Sequence, residues 1–287
     1  MEIISDPGQM QARALTWRSQ GLVTVLVPTM GFFHQGHLSL MEYGRTVGDK
    51  LVVSLFVNPT QFGPAEDYQR YPRDFDRDAA LAQQVGVDVL YTPAVEAMYP
   101  AGYQTYVEVG QLSQGLCGAS RPGHFRGVAT VVLKLFHQVQ PQAAVFGEKD
   151  YQQLAVIRRL VADLNVPVTI VGRPIVREAD GMAMSSRNTY LNPAERGAAL
   201  CLYRAILAAR ELVAAGENSR EKIIKEIKKI ITQTPHTRLD YLALVDAATL
   251  EEVETIAGEA RLALAVWVGK TRLIDNTELT ETRLCCV

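Results

Sequence analysis

The segment from Leu22 to His37, LVTVLVPTMGFFHQGH, decides how the rest of the chain is read. Leu22–Val27 is apolar or β-branched without alternation, the pattern of a strand buried on both faces, as a parallel sheet covered by helices requires. Pro28 and Gly31 interrupt it, Gly36 comes next, and helical spacing begins at His37. A strand, a glycine-bearing turn and a helix in that order present helix-terminal amides to an anion.

The same pattern repeats outward. Leu51–Val57 (LVVSLFV), Val87–Tyr91 (VDVLY) and Ala143–Phe146 (AAVF) read as further two-faced strands, and His37–Val47, Phe75–Val85 and Gly127–Val139 carry helical spacing between them. The expected architecture is an α/β doubly wound parallel sheet. Val166–Val171 adds a strand, after which Gly172, Pro174, Asp180 and Gly181 punctuate the connection. Beyond it a helix over Pro193–Ala214 and a charged helix over Ser219–Ile231 precede strands at Leu239–Val245 and Arg261–Val268, which predicts a second, smaller α+β C-terminal domain. Residues 1–175 and 176–287 are the two expected domains. The charged helix mixes signs along EKIIKEIKK, the mark of a solvated face.

Composition narrows the classes of partner. The chain has 287 residues, 29 Lys plus Arg against 31 Asp plus Glu, a net charge of −2 and 48% hydrophobic residues. That balance argues against binding nucleic acid or an anionic membrane by bulk charge, while leaving room for a small anion held by a few placed residues. The longest apolar runs, Leu22–Val27 and Leu262–Val268, fall far short of the ~18 residues that span a bilayer. The opening MEIISDPGQMQ lacks the order of a secretion signal, so a cytoplasmic protein is expected. Cys117 and Cys201 stand alone, and Cys285 with Cys286 lie in a tail, LCCV, whose Leu284 rules out a prenylation box; neither a metal spacing nor a disulfide framework is implied.

In an open parallel sheet ligands bind beyond the carboxyl ends of the strands, so the residues just after each strand carry the functional signal. His34 and His37 are three apart at a helix start and can face one side, where imidazoles donate to phosphate. Two surface histidines, or a zinc pair lacking an evident third ligand, are the alternatives. Asn58-Pro59-Thr60-Gln61 comes after the second strand with two amides that can donate and accept, or forms an ordinary turn. Gly147-Glu148-Lys149-Asp150 comes after Ala143–Phe146. There Lys149 can pair with phosphate, Asp150 can cap a helix or accept from a ribose hydroxyl, and Gln153 lies one turn onward. Met184-Ser185-Ser186-Arg187-Asn188 reads as a phosphate clamp on the interdomain connection, movable over the first-domain site, or as a helix cap with a charged turn.

Taken in order, PTMGFFHQGH, FVNPTQF, Ser120-Arg121-Pro122-Gly123-His124-Phe125-Arg126-Gly127, FGEKDYQQL, MSSRN and RLIDN resemble the pantothenate synthetase (pantoate–β-alanine ligase) family over about residues 3 to 276. The His-x-Gly-His pattern also resembles the wider nucleotidylyltransferase superfamily. The resemblance implies a Rossmann-like N-terminal domain, a homodimer built through it, and condensation of (R)-pantoate with β-alanine, driven by cleavage of ATP to AMP and diphosphate with Mg2+. It implies that Met30, Gly31, Phe32, Phe33, His34, Gln35, Gly36 and His37 border ATP, with His37 as proton donor and His34 as its phosphate-binding partner. Gly147, Glu148, Lys149, Asp150, Val176, Met184, Ser185, Ser186 and Arg187 complete the nucleotide site, and His34, His37, Lys149, Ser185, Ser186 and Arg187 are the catalytic residues, set against the growing negative charge. Gln61 and Gln153 hold pantoate, Gln61 also lying near β-alanine. The Mg2+ ligands and the roles of Arg121 and His124 are left unassigned. Phe33 departs from the family's usual Leu.

Overall fold

The computed structural model describes residues 1–64 and 66–281. In chain order the elements are β1 (Glu2–Ile4), α1 (Pro7–Ser19), β2 (Thr24–Thr29), α2 (Gln35–Val47), β3 (Lys50–Leu55), α3 (Phe75–Val85), β4 (Val89–Tyr91), α4 (Val95–Met98), α5 (Cys117–Ser120), α6 (His124–Val139), β5 (Ala143–Gly147), α7 (Tyr151–Asp163) and β6 (Thr169–Arg173). Then come α8 (Pro193–Ala199), α9 (Cys201–Ala214), α10 (Arg220–Thr232), β7 (Thr237–Asp246), β8 (Glu259–Val268) and β9 (Thr271–Thr280). Among the described residues no helix is long and apolar enough to cross a membrane.

The described chain divides into two compact units: Met1–Ser113 with Arg121–Glu148 and Gln153–Val176, and Gln114–Ser120 with Lys149–Gln152 and Arg177 onward. The second unit therefore takes two short excursions from within the first stretch of sequence, and the chain passes from one unit to the other between Glu148 and Lys149.

The first unit is built on a parallel sheet of order β1-β4-β3-β2-β5-β6. From β2 the chain winds outward one way through β3 and β4, then returns to β5 on the other side, so the topological switch lies between β2 and β5. Val25, Val27, Leu51, Val53, Leu90 and Val145 from the strands pack against Leu40, Met41 and Ala82 from α2 and α3. Strands buried on both faces have no polar alternation, which is why they are legible in the sequence. The observed strands β2 and β6 extend two residues further toward their carboxyl ends than the apolar runs. The short edge strand β1 and helix α1, the latter held by the Asp6 side chain accepting from the Gln9 amide at 2.7 Å, have no counterpart in the sequence reading.

The second unit is an antiparallel sheet, β7-β8-β9, covered by α8, α9 and α10. Ile223, Ile227 and Ile231 of α10 bury its apolar stripe, and its charged face stays outside, as the mixed-sign pattern predicts. The single helix expected over Pro193–Ala214 is two, because Leu200 adopts ψ −13 and its amide turns back to Ala198. Strand β9 is not among the expected elements. Its centre, Asp275-Asn276-Thr277, is polar, yet all three side chains are buried.

Cys117 and Cys201 are buried free thiols, while the Cys285–Cys286 tail lies outside the described residues.

Candidate active site

The turn after β2 is held in a conformation that few residues adopt. Gly31 has φ +85 and Phe32 φ +54, both left-handed, and the chain then enters α2. His34 is the N-cap of α2: its Nδ1 accepts the Gly36 amide at 3.1 Å, and His37 Nδ1 reaches back to accept the His34 amide at 3.3 Å. This is a capping box made by two histidines. Because each Nδ1 accepts an amide hydrogen, each neutral ring carries its proton on Nε2, as a hydrogen-bond donor. The rings stack with centroids 4.0 Å apart, so the two histidines share one face of the helix start, as their spacing predicts. Among the described residues no group of three or more His, Cys, Asp or Glu side chains is arranged to hold a metal ion, so the zinc alternative finds no third ligand there. Phe33 is fully buried among the core side chains of β2, β3 and α2, which absorb its extra bulk.

Asp78, on α3, is a site residue that sequence reasoning does not reach. Its Oδ2 accepts from the Phe32 amide at 2.6 Å and its Oδ1 from the Phe33 amide at 2.7 Å. Arg77 donates to the Phe33 carbonyl at 2.9 Å and lies over the Phe32 ring at 5.2 Å. Burial lifts the Asp78 carboxyl above its usual range, although the two amides oppose that rise. An acidic residue inside an amphipathic helix carries no sequence signal for this work; its partners lie 45 and 46 residues away.

Beyond β3, Asn58 orients Gln61. The Asn58 Nδ2 donates to Gln61 Oε1 at 3.0 Å and to the Gly127 carbonyl at 3.2 Å, and its Oδ1 accepts from the hydroxyls of Tyr99 at 2.8 Å and Thr60 at 2.9 Å. With Oε1 occupied, the Gln61 Nε2 is presented as donor, 3.3 Å from the Met30 sulfur. The two strand-end clusters after β2 and β3 are thus in direct contact.

Arg121 and His124 acquire a place. His124 Nδ1 is 2.8 Å from the Gln61 carbonyl and must donate to it; Arg121 Nη1, which can only donate, is 3.1 Å from His124 Nε2. His124 thus holds the Gln61 carbonyl through Nδ1–H, with Arg121 beside its other ring nitrogen. Arg121 also donates to the Gln61 carbonyl at 3.2 Å and forms a bidentate pair with Glu66 at 2.5 and 2.8 Å. For Glu66, burial alone raises the carboxyl pKa, but the hydrogen bonds and charge of Arg121 outweigh it and hold the group below the ordinary carboxylate range.

Gly147, Glu148, Gln153 and Val176 also fall in the first unit. The second unit holds the remaining expected residues. Lys149 Nζ lies 3.6 Å from the half-exposed Asp150 carboxylate. Gln152 is buried and structural, accepting from the Cys117 amide at 2.9 Å and donating to the Gly115 carbonyl at 2.8 Å. Ser185 caps a short 3₁₀ turn, Ser186–Tyr190, by accepting the Arg187 amide at 3.3 Å, and Ser186 is buried. Met184 precedes that turn, and the cap reading of MSSRN is realised in it.

The chain has well-defined relatives. A family model for pantoate-beta-alanine ligase matches residues 2–278. The chain is 56% identical to the pantothenate synthetase of Trichlorobacter lovleyi over 282 residues, 98% of this chain and 100% of that one. Among solved structures, pantothenate synthetase from Thermus thermophilus superposes with a TM-score of 0.92 at 48% identity, covering 98% of this chain and 100% of that one. A pantoate-beta-alanine ligase from Francisella tularensis, complexed with beta-gamma ATP and beta-alanine, gives a TM-score of 0.81 at 33% identity, covering 96% of this chain and 97% of that one.

Proposed function

We infer the activity from kinship that is plain: the chain belongs to the pantoate–β-alanine ligase family. It condenses (R)-pantoate with β-alanine at the expense of ATP, releasing AMP and diphosphate through a pantoyl adenylate. The observation that carries this reading to particular residues is the contact of the Gln61 amide with Met30, in the turn that leads into the histidine-capped helix, at the carboxyl ends of the neighbouring strands β2 and β3.

A carboxylate is a poor electrophile, so amide formation needs an activated acyl group. The pantoate carboxylate attacks the α-phosphorus of ATP and diphosphate leaves; β-alanine's neutral amine then attacks the acyl carbon and AMP leaves. In our reading the protein's contribution is placement and stabilisation of growing negative charge. The Nε2–H groups of His34 and His37 donate to phosphate oxygens. Gln61, its amide turned by Asn58, donates to pantoate, and Gln153 is its partner there. Lys149, Ser185, Ser186 and Arg187 are the remaining phosphate contacts, with Met30 to His37, Gly147 to Asp150, Val176 and Met184 bordering the nucleotide. A Mg2+ ion fits this donor set as a cation carried by the phosphates, which usually retains waters and takes only one or two protein carboxylates. The half-exposed Asp150 is such a carboxylate, and the ion neutralises phosphate charge when bound. A cytoplasmic homodimer is part of the same proposal.

The test is ATP–pyrophosphate exchange measured with and without pantoate. Exchange that requires pantoate and falls about 10²-fold in His37→Ala, as for loss of a transition-state donor, supports the assignment. Exchange independent of pantoate, or unchanged in His37→Ala, refutes it.

A further inference from the structure

The centre of β9 buries three consecutive polar residues, Asp275, Asn276 and Thr277, in a sheet whose other buried side chains are mostly aliphatic. Buried polar groups are costly unless bonded, so their partners are informative. Thr277 accepts from Arg210 Nε at 2.9 Å, a tie to α9. The other two reach further.

Asn276 Nδ2 donates to the Lys149 carbonyl at 2.9 Å, and its Oδ1 accepts from Arg261 Nη1 at 3.0 Å. The amide has one orientation only, since Arg261 cannot accept and the Lys149 carbonyl cannot donate. Arg261, itself buried, lies 3.8 Å above the Tyr151 ring, and the Tyr151 hydroxyl donates to the Ala247 carbonyl at 2.9 Å. The Lys149–Tyr151 segment is thus fastened at both ends, through the backbone carbonyl of Lys149 and the side chain of Tyr151.

Asp275 takes both Arg177 amino groups, at 2.7 and 3.0 Å. Arg177 also donates to the Gly181 carbonyl at 3.0 Å, closing a hairpin in which Arg177 bridges Ala183. Asn188 Nδ2 then donates to the Ala183 carbonyl at 3.1 Å, tying the hairpin to the turn that carries Ser185, Ser186 and Arg187. The Asn276 backbone N–H donates to Asp275 Oδ1 at 2.8 Å, so the two anchors brace each other.

We propose that Asp275 and Asn276 are positioning residues that fasten the Lys149 segment and the Ser185–Arg187 segment to one strand, so that both cations meet a single triphosphate in register. This rests on the reading of Lys149 and Arg187 as phosphate contacts. Asn276 acts through Lys149 and Asp275 acts through the Arg177 hairpin and Arg187, which gives each anchor its own signature.

The test is a set of double-mutant cycles read by pantoate-dependent ATP–pyrophosphate exchange. Asn276→Asp, which removes the donor to Lys149 while keeping size and the Arg261 contact, should raise the KM for ATP or lower the exchange rate at least tenfold. Conversion of preformed pantoyl adenylate by β-alanine should change less than twofold. In a Lys149→Ala background the same substitution should add less than twofold, whereas in Arg187→Ala it should keep its full effect. Asp275→Asn should show the converse pairing, and it serves as the second entry to the question if Asn276→Asp does not fold. Equal losses in both half-reactions, or full additivity in every background, would overturn the positioning role. Unchanged exchange in Lys149→Ala or Arg187→Ala alone would instead overturn the phosphate reading of that residue, and with it the anchor assigned to it.

Discussion

Gly127 shows how a single missing side chain shapes the substrate turn. A Cβ at this position of α6 would lie 2.4 Å from the Thr60 carbonyl oxygen and 2.7 Å from the Gln61 amide nitrogen. Both are backbone atoms of the turn that presents Gln61, so the turn itself must move. Gly127→Ala is therefore expected to cost about 1–3 kcal/mol by overpacking. It should raise the KM for pantoate tenfold or more with little change for ATP, measured by steady-state kinetics beside a thermal melt. At this scale the sequence is legible where polarity at a strand end advertises itself, as with His34, His37, Gln61 and Lys149. It gives no sign of Asp78 and, though Asn276 and Gly127 fall within the family's motifs, no sign of their work, which consists of touching backbone far away in the chain.

Helix α2 uses its histidines twice. Nδ1 of each ring closes the N-terminus, while the proposed phosphate donor is Nε2 on the opposite side of the ring. Asn is among the best N-cap residues, so it can replace the first role without the second. His34→Asn should hold stability within about 0.5 kcal/mol of the parent, whereas His34→Ala should lose about 1 kcal/mol; both should lose exchange activity. Denaturant melts with parallel exchange assays check this, and equal stability losses in the two variants would remove the capping role. Helices with apolar stripes and two-faced strands are readable because burial leaves a period in the sequence. Strand β9 escapes because its buried centre is polar, bonded to Arg177, Arg210, Arg261 and the Lys149 carbonyl, and burial of that kind leaves no hydrophobic mark.

Over the whole molecule a net charge of −2 conceals paired charges that respond differently to acid. Glu66 has a depressed pKa in the folded state through Arg121, after burial is overcome, so its contribution is complete above the unfolded carboxylate value and is lost as pH falls through the folded one. Asp78 works in the opposite sense: burial raises its pKa, so its ionisation costs stability as pH rises through the interval above the unfolded value. Glu66→Gln should accordingly be less stable than the parent at neutral pH, with the difference shrinking toward zero as pH falls below the ordinary carboxylate range. Melting temperatures of both proteins from pH 7 downward test the sign, and a difference that grows on acidification would contradict it.

The amino-acid sequence by itself determined that a parallel, helix-covered sheet leads the chain, that a smaller α+β unit comes after it, and which polar clusters carry the family's motifs. These are consequences of local periodicity and residue chemistry, which neighbouring residues are enough to express. Only the tertiary structure decided that Lys149 to Gln152 belong with the second unit, that Arg121 and His124 hold the Gln61 carbonyl, and that Asp275 and Asn276 anchor two distant segments. The physical reason is that a hydrogen bond to a backbone carbonyl asks nothing of the residue type it meets, and the Asp275–Arg177 pair joins residues 98 positions apart, so such partnerships leave no pattern in one chain and exist only once the fold has closed the distance.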